Sequence, residues 1–170
     1  EAAVAQSRAE GHALVGTVAV VSLRAEQTSV VIVRDCGERP AALLSPTRVH
    51  EEGGAHLDAA VLRHLVASLT ELGDDIDSRD PVVIAAARDA LTQSRSLREE
   101  LSIAVTETVL PELPGSGHRV RVVRGEIEEI ARPWADAVIR TLRSAADESA
   151  VPVDAVLLTH AHADHVLGLD

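Results

Sequence analysis

Aromatic rings, lysine and asparagine are nearly or wholly missing from this 170-residue chain. It has no Phe, Tyr, Met, Lys or Asn, and Trp134 is its one aromatic residue, so all 16 basic residues are Arg. The missing amino acids share AT-rich codons, which indicates a GC-rich bacterial genome rather than a functional demand. A core must therefore be built from Val, Leu, Ala and Ile, which can pack densely without aromatic rings.

Positive charge is also scarce, and cysteine cannot pair. The formal net charge of −11 disfavours a nucleic-acid surface, because phosphate binding needs clustered Lys or Arg. Cys36 is the single cysteine, so an internal disulfide is excluded, which fits a reducing compartment. No apolar run approaches the roughly 20 residues that span a bilayer, and no signal peptide is recognisable. These features predict a cytoplasmic segment without membrane or nucleic-acid contacts.

Hydrophobic periodicity predicts interleaved strands and helices. Val-rich runs of strand length alternate with stretches whose apolar residues recur every three or four positions, as on one face of a helix. The last run, 153–158, is apolar except for Asp154, and we expect it to lie buried at the centre of a sheet. The predicted strands are 17–23, 29–35, 40–46, 103–113, 118–127 and 153–158, and the predicted helices are 53–72, 81–100 and 126–145.

The strongest ligand cluster follows that last strand. Four side chains of metal-binding type fall within six residues: His160, His162, Asp164 and His165. Imidazole and carboxylate are good zinc ligands, and residues two apart in an extended segment point the same way. The pattern predicts incidental or partial metal binding by an exposed histidine-rich loop. A loop that binds no metal and a functional metal site completed elsewhere are the alternatives.

The stretch 154–170, DAVLLTHAHADHVLGLD, resembles the signature of the metallo-β-lactamase superfamily. The resemblance implies a metal-dependent hydrolase in which the four residues bind zinc. That superfamily takes further His and Asp ligands from later segments, whereas the other histidines of this chain precede the motif. We therefore expect weak, exchangeable zinc binding and no hydrolysis from this chain.

A longer series of segments resembles another family. Five stretches follow one another as in the second lobe of the actin-like ATPase domain of DnaK-type heat-shock chaperones: 17–33, 53–66, 87–109, 118–145 and 153–158. The resemblance implies an α/β lobe, with a mixed sheet, flanking helices and a smaller α+β subdomain. We expect residues 1–170 to form one such lobe, with its core at 11–36 and 116–170 and the subdomain at 37–115, within a longer protein.

This second resemblance also implies which residues contact nucleotide. The family's glycine-rich phosphate loop corresponds to 22–28, which holds no glycine, and its later Gly-Gly-Ser loop corresponds to 159–161. A helix-entry Gly-Gly, a helical cation and a serine are retained: Gly53, Gly54, Arg98 and Ser102. The resemblance thus implies these four as the remaining nucleotide contacts and no ATP hydrolysis, with a simple helix-entry turn as the alternative for the glycines.

Three functional interpretations result. The first is a degenerate chaperone-type lobe that acts as a protein-interaction module, without catalytic residues, and whose partner is another protein or a first lobe. The second is a metal-dependent hydrolase fragment that uses the histidine motif. The third is a functional nucleotide-binding lobe completed by a partner lobe. The acidic stretch 73–80 supports none of these three functions. It lacks the Gly and terminal Glu of a calcium loop at the required spacing, and we interpret it as a solvent-exposed connection between helices.

Overall fold

The computed structural model describes residues 15–35 and 42–160. Within those ranges the chain forms seven strands and three helices, which confirms the predicted mixed α/β class. The strands are β1 (Gly16–Leu23), β2 (Thr28–Asp35), β3 (Ala42–Leu43), β4 (Arg48–His50), β5 (Thr106–Val109), β6 (Val120–Val123) and β7 (Ala155–His160). The helices are α1 (Gly54–Glu71), α2 (Pro81–Glu100) and α3 (Arg124–Ser149).

The chain divides into two compact units. One comprises Glu1–Gly54 and Trp134–Asp170, and the other comprises Ala55–Pro133. Strand β4 is the element that the sequence did not predict, since three residues are too few to show a period. The actin-like lobe, with its subdomain at 37–115, stays a prediction.

The first unit is built on a mixed sheet. Its strand order is β3-β2-β1-β7, and β4 also pairs with β2. Strand β1 is antiparallel to β2 and parallel to β7. Alternate residues of β1 enter two separate clusters, as the period of two in a strand requires. Val18 and Val20 pack with Val33 on one face, while Ala19 and Val21 pack on the other.

Helix α3 covers the second of these faces. Ala145 is fully buried there against Ala19, Val21, Val30 and Ile32, and Val138 and Leu142 are partly buried in the same cluster. Positions 138, 142 and 145 recur at helical spacing, so one stripe of the helix meets the sheet. The predicted packing of this helix on the sheet is confirmed.

The predicted central position of the last strand is wrong. Within the described residues β7 lies at the sheet edge, with β1 as its neighbour. Val156 and Leu158 are 50% and 65% exposed, although they lie opposite the buried Ala19 and Val21. A run of mainly apolar residues has the same composition in a central strand as in an edge strand, so composition could not distinguish the two positions.

The second unit packs helices against a hairpin. Strands β5 and β6 pair antiparallel. Asp80 caps the N-terminus of α2, because its side chain accepts a hydrogen bond from the Val82 N–H. The apolar stripe of α1 meets residues of α2, β6 and α3. This core contains Val61, Leu65, Leu69, Leu97, Leu101, Val120, Val122 and Ile127. A smaller cluster joins Val83, Ala90 and Leu113.

None of the described helices has the length and hydropathy that a membrane crossing demands.

Candidate functional site

Strand β7 carries the chain to the histidine motif. It runs parallel to β1, in a register that places Ala155 opposite Val18 and His160 opposite Leu23. His160 is therefore the last residue of a hydrogen-bonded strand. The other predicted metal ligands, His162, Asp164 and His165, lie outside the described residues, so the geometry of the four-residue set stays a prediction.

A side-chain hydrogen bond joins the two strands immediately before His160. The hydroxyls of Ser22 and Thr159 are 2.9 Å apart, and the two residues are direct partners in the β1–β7 register. Such opposed pairs are the local unit of sheet stabilisation. The bond links positions that are 137 residues apart in the chain, so no local pattern predicts it.

Strand β7 is also anchored just before its first residue. The Thr17 N–H donates to Asp154 Oδ2 at 2.8 Å, and the Asp154 N–H donates to the Thr17 carbonyl at 2.8 Å. Gly16 makes room for this carboxylate, because a Cβ at Gly16 would lie 2.5 Å from Asp154 Oδ2. Its φ of 120° is also one that L side chains rarely adopt. Polar contacts to β1 thus bracket the strand that leads to the motif.

The two predicted nucleotide-contacting glycines have a structural role at the entry to α1. A Cβ at Gly53 would lie 2.2 Å from the Arg24 carbonyl oxygen and 2.6 Å from that of Ala25. The Gly54 N–H donates to the same Arg24 carbonyl at 2.9 Å. The glycines therefore let the start of α1 approach the β1–β2 turn, as the helix-entry alternative expects, and nucleotide contact stays a prediction.

The predicted cation and serine also have partners within the protein. Arg98 Nε donates to Asp58 Oδ1 at 2.8 Å, which joins α2 to α1 within the second unit. Ser102 Oγ donates to the Glu99 carbonyl at 2.6 Å, just after the end of α2. Arg98 therefore contributes to the helix pair and Ser102 to the end of α2, and their role toward nucleotide is a prediction.

Asp74 is a structural residue that the sequence did not identify. Its carboxylate accepts hydrogen bonds from the backbone N–H groups of Gly117 and His118, at 2.9 Å and 3.2 Å. His118 Nδ1 lies 2.7 Å from Asp74 Oδ1, and the Asp74 side chain is only 7% exposed. The Gly117 N–H, assisted by His118, lowers the pKa of Asp74.

The solvated interpretation of 73–80 therefore fails at Asp74, which ties the α1–α2 connection to the turn before β6. No local signal predicts this, since the partners are more than 40 positions apart. Across residues 15–35 and 42–160 no group of three or more His, Cys, Asp or Glu side chains could hold a metal ion.

Comparison with known proteins gives one partial result. A family model of the metallo-beta-lactamase superfamily matches residues 126–170, about a quarter of the chain. The match includes nearly all of α3, the whole of β7 and the histidine motif. No curated protein matches the chain. The comparisons give no support for the DnaK-type resemblance, so they favour the hydrolase interpretation over the chaperone one.

Proposed function

We propose that this chain supplies the metal-binding segment of a zinc-dependent hydrolase of metallo-beta-lactamase type. The observation that carries the proposal is the family match over 126–170, which begins 34 residues before His160 and so extends well beyond the motif itself. The proposed ligands are His160, His162, Asp164 and His165.

The chemistry of this donor set fits zinc. Three imidazoles and one carboxylate are ligands of the type found in catalytic zinc sites, where three protein ligands leave one position open. The motif begins on a paired strand, and ligands that start from a rigid element are held more precisely than ligands on a free loop. His160 satisfies that condition through its pairing with β1.

The residues of the motif have separable roles in this proposal. His160 and His162, two positions apart, bind one ion together with Asp164 or His165. The residue that is not used at this ion serves a second metal. A bound zinc ion supplies Lewis-acid polarisation of the substrate for hydrolysis. The part of the protein would be to hold these ligands in place around the ion.

Zinc titration by calorimetry tests the metal-binding half of the proposal. The wild-type chain should bind zinc, and the double variant His160→Ala/His162→Ala should lose more affinity than the about 10- to 100-fold that removal of an outer hydrogen-bond partner costs. His56→Ala removes an imidazole from α1, outside the motif, and should bind as the wild type does. Equal zinc affinity in the double variant and the wild type would reject the assigned ligands.

Turnover tests the hydrolytic half. The wild-type chain, loaded with increasing zinc, is offered a β-lactam, an aryl ester and an aryl phosphodiester. The order of the ligands predicted no hydrolysis, whereas the family match favours the hydrolase interpretation. On this proposal, hydrolysis of at least one substrate should rise with zinc occupancy and disappear in the variant His160→Ala/His162→Ala. Zinc binding at the motif without turnover of any substrate would leave a metal site and overturn the hydrolase assignment.

A further inference from the structure

We propose that the hydroxyl pair of Ser22 and Thr159 is a positioning device for the metal-binding motif. The pair holds the last part of β7 in the register that delivers His160 at the end of the strand. This inference rests on the proposed function, and it assigns to two residues outside the motif a part in setting its metal affinity.

The pair lies at the point where positioning matters most. Thr159 immediately precedes His160, and its hydroxyl is 2.9 Å from that of Ser22 on the neighbouring strand. The two residues are opposite each other in the parallel register, one step before the pair formed by Leu23 and His160. A displacement of Thr159 along β1 would therefore move the first proposed ligand by the same amount.

One face of β7 has little apolar packing to hold it in place. Within the described residues β7 is an edge strand next to β1, and Val156 and Leu158 are half or more exposed. A slip of one residue would turn every side chain of the strand to the opposite face. The register of a strand with little burial is poorly specified. A side-chain hydrogen bond near His160 therefore helps to specify it.

The contacts before the strand do not remove that need. Asp154 hydrogen-bonds with the backbone of Thr17 at the opposite end from His160. That anchor fixes where β7 begins, whereas the hydroxyl pair fixes where it ends. Together, the two contacts hold both ends of β7 against β1.

The test uses variants that remove the hydroxyls while keeping shape. Thr159→Val keeps a β-branched side chain, Ser22→Ala removes only an oxygen, and Thr159→Ser retains the hydroxyl. Thr141→Val is the matched control, because Thr141 Oγ1 also makes a part-buried hydrogen bond in the same unit, to the Ala137 carbonyl in α3. Zinc affinity, the cobalt(II) absorption spectrum and the metal-free melting temperature are measured on the full chain.

Ser22→Ala and Thr159→Val should each weaken zinc binding by about tenfold, the lower end of the range for loss of an orienting partner. The combined variant Ser22→Ala/Thr159→Val should lose no more zinc affinity than either single variant, because the effects of two substitutions that remove the same interaction do not add. The cobalt spectrum should change in both variants. Thr159→Ser and Thr141→Val should keep wild-type affinity and spectrum.

Three results would overturn the positioning role. Unchanged zinc affinity and cobalt spectrum in Ser22→Ala and Thr159→Val would reject it directly. Loss of affinity that follows the metal-free melting temperature, and is equal in Thr141→Val, would show general destabilisation. Unfolding of both variants without metal would assign the pair to folding alone.

The outcome for the wild type separates the two proposals. A wild-type chain that binds no zinc rejects the proposed function together with this inference. Zinc binding that depends on His160 and His162, but is unchanged in Ser22→Ala and Thr159→Val, rejects only the positioning role.

Discussion

Gly53 illustrates how the absence of one side chain lets two segments of the chain approach. Backbone carbonyls, rather than flexible side chains, surround the place where its Cβ would lie. Backbone atoms of a packed turn cannot move aside as easily as the end of a side chain. The residue after it, Gly54, hydrogen-bonds to the same turn, so this approach is part of the fold of the first unit.

We predict that Gly53→Ala destabilises the protein by about 1–3 kcal/mol, the usual cost of overpacking a close contact. Gly125→Ala is the control, because nothing lies within 4 Å of its Cβ position and it is in α3. Alanine is favoured over glycine in a helix by about 1 kcal/mol, so the control should be neutral or stabilising. Urea unfolding followed by circular dichroism measures both, and equal stabilities would contradict the steric argument.

Asp74 predicts a dependence of stability on pH. Hydrogen bonding from the Gly117 N–H, assisted by His118, lowers the pKa of Asp74 below its ordinary value of 3.8. A carboxyl group whose pKa is lowered on folding stabilises the folded state above the unfolded pKa. That stabilisation is lost as the pH falls through the folded pKa. Acid should therefore weaken the protein below about pH 4 through this group.

The variant Asp74→Asn should be less stable than the wild type at neutral pH and should lose less stability on acidification below about pH 4. Asp75→Asn changes an exposed neighbour in the same connection and should follow the wild-type curve. Chemical unfolding at a series of pH values gives both comparisons. A parallel loss of stability in the wild type and Asp74→Asn across that range would show that Asp74 does not carry the acid dependence.

At the scale of elements, one arginine closes the end of α2. Arg124 Nε donates to the carbonyls of Leu101 and Ala104, and its Nη2 donates to those of Ile103 and Ala104. These carbonyls belong to the segment that follows the last turn of α2, where a positive charge also interacts favourably with the helix dipole. A single side chain at the start of α3 therefore connects α2, the segment before β5 and α3.

Replacement of this guanidinium by an ammonium group should not preserve the connection. Arg124→Lys keeps the charge but loses the planar fork that reaches several carbonyls, and it should cost about 1–2 kcal/mol of unfolding free energy. Arg121→Lys, on the exposed side of β6, should cost little. Thermal unfolding and amide exchange of residues 101–105 measure the effect, and wild-type protection in Arg124→Lys would contradict it.

Periodicity predicted which segments form helices and strands more successfully than it predicted which elements lie next to each other. The predicted helix at 81–100 agrees with α2, because Asp80 and Pro81 are local start signals. The run at 153–158 was correctly predicted as a strand but wrongly placed at the centre of the sheet. Its apolar composition reflects possible burial on both faces, whereas the observed burial depends on which elements cover β7, and that information is not local.

At the scale of the whole molecule, ligand-dependent stability discriminates between the nucleotide and metal interpretations. The Gly54 N–H and Arg98 Nε already have partners in the protein, and 22–28 holds no glycine nest. A ligand at 100 times its dissociation constant stabilises by about 2.7 kcal/mol. In a chain of this size that corresponds to a rise of several degrees in melting temperature, at about 2–4 °C per kcal/mol.

We expect millimolar ATP with magnesium to leave the melting temperature unchanged. Magnesium chloride at the same magnesium concentration and ionic strength is the control, because a chain with a net charge of −11 also responds to the cation and to screening. A melting temperature that rises by several degrees more with ATP than in that control, and rises less in Arg98→Ala, would support the nucleotide-binding interpretation.

The sequence by itself determined the aliphatic composition of the core, the acidic charge, the periods of the helices and the donor chemistry of the His160–His165 motif. These are properties of single residues or of short windows, and they survive without knowledge of partners. Only the tertiary structure decided that β7 lies beside β1 and that Ser22 hydrogen-bonds to Thr159, 137 positions away. It also decided that Asp74 accepts a hydrogen bond from the Gly117 N–H. Local patterns state which side of an element is apolar, whereas distant partners are selected by packing and hydrogen bonding of the whole chain.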